Sequence, residues 1–269
     1  MRPKAIILDL DGTLLNSSKT ISKKSIEVLK GLKASGIELI FATARPPRCT
    51  DFKEIDLASL GTMVFYNGAL FHCIDTNEQI HFSIPSKKTK ELIEFCFSID
   101  HEANLSIEVK DQWFSSRPLD YREMMKVEQN PTMISYEELL AYDCTKVLLT
   151  NFAHPEQLLD KFGKELNVLI TDHGELIQIM SQRSSKEAAV EYLLDRMQLT
   201  FDDAMCFGDD FNDLGLFQMC GYSVAMGNAV KELKSIANTI TETNDNDGVA
   251  IFLDRYCDQQ QSELKKLLN

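Results

Sequence analysis

Short apolar runs alternate along the chain with longer segments in which apolar residues recur at helical spacing. The first run, Ile6-Ile7-Leu8, leads into Asp9-Leu10-Asp11-Gly12-Thr13-Leu14-Leu15. A run this apolar is expected of a strand buried on both faces. Ser22 then precedes Ile26, Val28, Leu29 and Leu32, which predicts a capped helix that stops at Gly36. Ile37–Ala42 is a second apolar run, closed by Thr43-Ala44-Arg45-Pro46-Pro47. Strand, helix, strand in this order is a βαβ unit, and it implies a parallel sheet flanked by helices. A third strand is expected at Thr62–Tyr66, and Asn67-Gly68 signals a hairpin into Ala69–Cys73.

From His81 to Arg183 the pattern changes. A helix is expected near Lys87–Phe97, and short strands around Leu105–Val109, Lys146–Thr150, Val168–Thr171 and Leu176–Met180. A further helix is expected near Pro155–Leu166. After this block the parallel-sheet pattern resumes. Ser184 and Glu187 have the spacing of a capping box before Ala188, Ala189, Tyr192 and Leu193. The strand Ala204–Phe207 ends in Gly208-Asp209-Asp210-Phe211-Asn212-Asp213, and Tyr222–Met226 ends in Gly227-Asn228-Ala229. The fold class expected is therefore α/β: a doubly wound parallel sheet from residues 1–80 and 184–269, with an α+β domain inserted at 81–183.

Composition narrows the partners. A chain of 269 residues exceeds what one core usually organises, in keeping with an insertion. The net charge of −13 argues against a nucleic-acid backbone as partner, although a local site can still be positive. Seven scattered cysteines without a Cys-x-x-Cys point to buried thiols in a reducing, cytoplasmic compartment. The five histidines form no zinc-binding pattern. A strand begins almost at the N-terminus, leaving no room for a signal peptide, and no apolar run reaches membrane-spanning length. A soluble protein, monomer or homodimer, is expected.

The chemistry lies where strands end. Asp9 and Asp11, two apart, would point to one side of a strand end, where two like charges repel. A turn accounts for Asp11-Gly12 but gives no reason for Asp9. Taken singly, Thr43 reads as a turn or cap residue, Lys186 as a solvated lysine, and Asp213 as a first-turn acid. In open α/β sheets, however, ligands bind beyond the carboxyl ends of strands, so these segments can converge. Asp9 and Asp209–Asp213 offer hard oxygen ligands that suit Mg2+. A lysine and a hydroxyl beside such a metal suit a phosphoryl group. One carboxylate can then attack phosphorus, while its neighbour moves the proton of the leaving oxygen and of water.

At this point the chain resembles the haloacid dehalogenase-like superfamily of phosphatases, and within it the Cof-type hydrolases with a large type-II cap. The resemblance rests on Asp9-Leu10-Asp11-Gly12-Thr13-Leu14, Thr43, Lys186 and Gly208-Asp209-x-x-Asn212-Asp213. Asn67-Gly68-Ala69, Ala225–Ala229 and Asp247-Gly248-Val249-Ala250 support it. It implies Asp9 as nucleophile and Asp11 as general acid/base. Thr43, Lys186, Asn212 and the amides near Gly12 would hold the phosphate. Mg2+ would sit among Asp9, the Asp11 carbonyl and Asp209, with Asp213 in support. Glu187 stands where the family often has Gly; the capping box would turn it back toward Ser184. The expected function is Mg2+-dependent hydrolysis of small phosphorylated metabolites, sugar phosphates or phosphorylated cofactors, through an aspartyl phosphate. A phosphometabolite-binding sensor and a phosphomutase are the alternatives. Arg45, Trp113 and Arg183, with Arg48, Arg117 and His173, are candidates to contact the rest of the substrate.

Overall fold

A computed structural model of the chain describes residues 3–73, 78–122, 127, 129–171 and 175–256. Its contacts divide into two compact units: Met1–Arg45, Cys49–Gln79 and Ser185–Asn269 in the first, and Pro46–Arg48 with Ile80–Ser184 in the second.

The first unit is organised by β1 (Ala5–Leu8), whose four residues are all fully buried. On one side β1 pairs in parallel with β2 (Glu38–Ala42), and β2 with β3 (Thr62–Phe65). On the other side it pairs in parallel with β12 (Ala204–Gly208), followed by β13 (Tyr222–Ala225) and β14 (Thr239–Ile240). With β4 (Leu70–Cys73) and β5 (Glu78–His81), the sheet runs β14-β13-β12-β1-β2-β3-β4-β5. The chain winds outward from the β1/β12 junction in both directions. Such a reversal opens a crevice at the carboxyl ends of the two strands. The helix Lys23–Ala34 begins as the sequence predicts, with the Ser22 hydroxyl accepting from the Ser25 amide at 3.0 Å.

Two details of the first unit differ from the sequence reading. The hairpin at Asn67-Gly68 has a four-residue loop, since Phe65 pairs with Leu70. Tyr66, Asn67 and Gly68 all take left-handed φ, of 51°, 50° and 98°. The loop needs this shape because it passes tightly against the start of the helix Lys186–Arg196. A Cβ on Gly68 would lie 2.0 Å from the Ser185 carbonyl oxygen. That helix, in turn, is capped by Ser185 rather than Ser184. The Ser185 hydroxyl accepts from the Ala188 amide at 3.2 Å. Ser184 is fully buried, with its hydroxyl directed at the Phe82 carbonyl, so it cannot reach the first turn. The Ser184–Glu187 capping box therefore does not form, and Glu187 packs instead against Gly215.

The second unit has its own sheet, β10-β11-β9-β6-β7-β8, formed by Leu166–Thr171, Leu176–Ser181, Lys146–Thr150, Asn104–Val109, Gln112–Ser115 and Thr132–Met133. All pairs but β7–β8 are antiparallel. Leu105, Ile107, Val147, Leu149, Ile177 and Ile179 alternate onto one face, where they pack with Leu92, Ile93, Leu158 and Phe162 of the helices Ser86–Ile99 and Pro155–Phe162. The second of these helices stops short of the expected Leu166. The Gly163 amide closes it onto the Leu159 carbonyl, and Leu166 already pairs with Ser181.

On the other face Glu108 is buried at 2 % exposure, paired with Lys146 at 2.9 Å and with the Arg48 guanidinium. Through Arg48 these contacts tie Pro46–Arg48 to this unit. Among the described residues no helix is long and apolar enough to cross a membrane.

Candidate active site

β1 and β12 deliver Asp9 and Asp209 to the carboxyl end of the sheet, and the helix Lys186–Arg196 delivers Lys186 at its first position. Lys186 is fully buried, and its Nζ donates to Asp9 Oδ1 at 2.6 Å and to Asp213 Oδ1 at 2.7 Å. The other Asp213 oxygen accepts from the Asp209 and Asp210 amides at 3.0 and 3.2 Å. The i, i+4 spacing of Asp209 and Asp213 thus closes a capped 3-10 turn, Phe211–Asp213, rather than aligning both carboxylates along one helix face. Asp9, Asp209 and Asp213 still converge: one oxygen of each lies within 4.8 Å of the others.

This crowding has an electrostatic consequence. Three carboxylates face one ammonium. Burial, reinforced by Asp213 and only partly offset by Lys186, pushes the Asp9 carboxyl up to about 8. Burial and the Asp213 charge push Asp209 up to about 6, against a hydrogen bond from Thr13. Burial alone would lower Lys186, but the charges of Asp213 and Asp9 hold it above its ordinary range. A cluster of hard oxygens that needs more positive charge than the chain supplies fits a divalent cation such as Mg2+. Asp9, Asp209 and Asp213 are the residues that would hold it.

Asp11 has different partners. Its carboxylate accepts from Arg45 Nε at 2.6 Å and Nη2 at 2.7 Å, and from Lys19 Nζ at 2.7 Å. Partial burial works against ionisation, but the hydrogen bonds from Arg45 and Lys19 prevail and bring Asp11 down to about 2. Thr43 is buried, and its hydroxyl accepts from the Arg45 amide at 3.1 Å, which leaves the O–H free to donate to a ligand. Gly12 has φ of 80°, and a Cβ there would lie 2.1 Å from Asp209 Oδ2. Only glycine permits that approach.

Of the remaining expected residues, those described each have protein partners. The Asn212 amide donates to Asn67 Oδ1 at 3.0 Å. Arg45, expected to reach for substrate, is committed to Asp11 and to the Cys49 carbonyl. Trp113 belongs to the second unit, where it is buried: it stacks on Tyr121 at 5.2 Å and donates to Ser106 Oγ at 3.0 Å. Arg183, also of that unit, lies 4.3 Å over the Phe82 ring. Arg48 pairs with Glu108, and Arg117 bonds the His101 carbonyl. His173 lies outside the described residues.

Three contributors escaped the sequence reading. Thr13 donates to Asp209 Oδ1 at 3.1 Å, Asn228 donates to the Gly12 carbonyl at 2.8 Å, and Lys19 pairs with Asp11. Thr13 and Asn228 lie inside quoted motifs, whereas Lys19 lies in the polar run Asn16–Thr20, which signals a turn and nothing more.

Carboxylates, a buried ammonium and a hydroxyl gathered at the switch point of a doubly wound sheet are the equipment of a phosphate-handling hydrolase. Residues 6–253 match the haloacid dehalogenase-like hydrolase family, and the chain belongs to it. It is 29 % identical over 264 residues to the 5-amino-6-(5-phospho-D-ribitylamino)uracil phosphatase of Bacillus subtilis, covering 95 % of this chain and 98 % of that protein. Among solved structures, a haloacid dehalogenase-like hydrolase from Bacteroides thetaiotaomicron matches with a TM-score of 0.81 and 26 % identity, over 95 % of this chain and all of that one. A subclass IIB sugar phosphatase of the same superfamily shares the fold at a TM-score of 0.78 and 19 % identity, over 94 % and 98 %. The protein is a phosphoric monoester hydrolase, acting on phosphorylated substrates.

Proposed function

We propose that the protein is a Mg2+-dependent phosphatase of small phosphorylated metabolites, sugar phosphates or phosphorylated cofactor precursors, working through an aspartyl phosphate on Asp9. The observation that carries this reading is the convergence of Asp9, Asp209 and Asp213 on one fully buried lysine. The relative that acts on a ribityl phosphate, matched over nearly the whole of both chains, supports the substrate class.

Asp9 Oδ attacks phosphorus and the ester P–O bond breaks, its electron pair leaving with the substrate oxygen, which takes a proton from Asp11. Water then attacks the acyl phosphate, Asp11 takes its proton, and the bond from phosphorus to Asp9 breaks to release phosphate. Lys186 and the Thr43 hydroxyl hold phosphoryl oxygens through this transfer. Arg45 and Lys19 keep Asp11 ionised at rest, so the proton it lends arrives with the bound substrate. Mg2+, when bound, supplies the positive charge that lets Asp9 stay ionised and spreads the charge of the phosphoryl group.

Phosphate release from a panel of phosphomonoesters, with and without Mg2+, tests this. Wild type should turn over sugar or ribityl phosphates only with the metal, and Asp9→Asn should be inactive. Equal activity of wild type and variant, on any compound, would refute the mechanism.

A further inference from the structure

The geometry points to Lys19 as a positioning residue for the reaction, one that fixes the Asp11 carboxylate toward the leaving oxygen. The inference rests on the reading of Asp11 as proton carrier given above.

Lys19 is built into its place. The loop Asn16–Thr20 is closed by the Asn16 amide accepting from Thr20, donating to it and accepting from the Ser18 amide, at 3.1, 2.8 and 3.0 Å. The Lys19 amide donates back to the Asn16 carbonyl at 2.9 Å. Next to it, Ser17 is pinned by Asp245, its amide at 2.7 Å and its hydroxyl at 2.6 Å. Within this frame Lys19 itself takes a left-handed φ of 60°. For a residue with a Cβ that conformation is unfavourable, and it persists only where the surroundings impose it.

The strained residue is the one whose ammonium reaches Asp11, at 2.7 Å. The Arg45 guanidinium grips the same carboxylate from the opposite chain segment, beyond β2. An exposed lysine held only for solubility needs neither the locked loop nor the left-handed backbone. Two cations from separate segments leave the carboxylate one orientation, and a proton carrier gains rate from being held in place.

Lys19→Gly separates the role from the fold, because glycine takes the left-handed φ without strain, keeps the backbone amide that donates to the Asn16 carbonyl, and leaves the side-chain bonds of the loop to Asn16, Ser17 and Thr20. Its melting temperature should match wild type. On an alkyl phosphomonoester, whose leaving oxygen needs a proton, kcat/KM should fall roughly tenfold or more. On para-nitrophenyl phosphate, whose leaving group needs none, it should fall less than about threefold. Lys19→Arg should recover most of the loss, and Lys19→Gly should cost nothing further in an Asp11→Asn background. A loss equal on both esters, or one that persists undiminished without Asp11, would assign Lys19 to substrate binding and overturn the inference. Asp11→Asn alone separates the two claims. If it is selective between the esters and Lys19→Gly is not, only the role of Lys19 falls. If it is not selective, the reading of Asp11 falls and takes Lys19 with it.

Discussion

Gly12 shows how little room the site leaves. Its α-carbon faces the Asp209 carboxylate so closely that one methyl group would occupy the space of an oxygen, and its φ of 80° is itself unfavourable for any other residue. Gly12→Ala must therefore displace Asp209, which is also held by Thr13 at 3.1 Å. Groups that orient a metal-binding carboxylate change affinity or activity by roughly 10- to 100-fold when altered. The expected outcome is a rise of that order in the Mg2+ concentration giving half-maximal activity, measured by titration at saturating substrate. The rise should appear with the sheet intact by circular dichroism. A variant with unchanged Mg2+ dependence would mean that Asp209 does not serve the metal.

At the scale of elements, legibility followed burial. β1, β2 and β12 are covered on both faces, so their sequences are nearly pure apolar runs and their bounds could be read within a residue or so. β5, β7 and β8 were missed. β8 is two exposed residues at a sheet edge, and β7 carries Gln112 and Ser115 among its four, so neither shows a usable period. At the site, the acids and Lys186 were legible because each follows or opens a core element. Lys19 and the fate of Arg45 were not, because ion pairing between loops leaves no trace in periodicity.

β6 and β9 carry the least expected feature, the buried pair of Glu108 and Lys146. Burial would raise the Glu108 carboxyl, but the charges of Lys146 and Arg48 outweigh it and hold the group below its ordinary 4.5. A depressed carboxyl contributes its stability fully above the unfolded value and loses it as pH falls through the folded one. Lys146→Met should cost about 3 kcal/mol near neutral pH, since it strips one partner from a buried charge. Because wild type surrenders its own advantage in acid, the gap should shrink as pH falls from neutrality to below 4.5. Thermal melts across this range check it; an equal gap at both ends would locate the cost in packing.

The whole molecule joins segments nearly two hundred residues apart in sequence: Asp9, Lys186 and Asp213 meet only once both ends of the chain have formed one sheet. Binding at such a site acts on every element that brings a ligand or its support. The second unit carries a hydrophobic core of its own, from Ile84 to Ile179, and none of the three converging acids. A ligand that binds only the folded form, at 100 times its dissociation constant, stabilises that form by about 2.7 kcal/mol. Hydrogen exchange with and without Mg2+ should therefore slow the amides of β1, β2, β12 and the helix Lys186–Arg196 by that free energy. Those of β6, β9 and β11 should keep their rates, because their opening leaves the site whole. Equal slowing in both sheets would show that the two cores open as one cooperative body, and slowing in neither would show that the acids of the first unit do not take the metal.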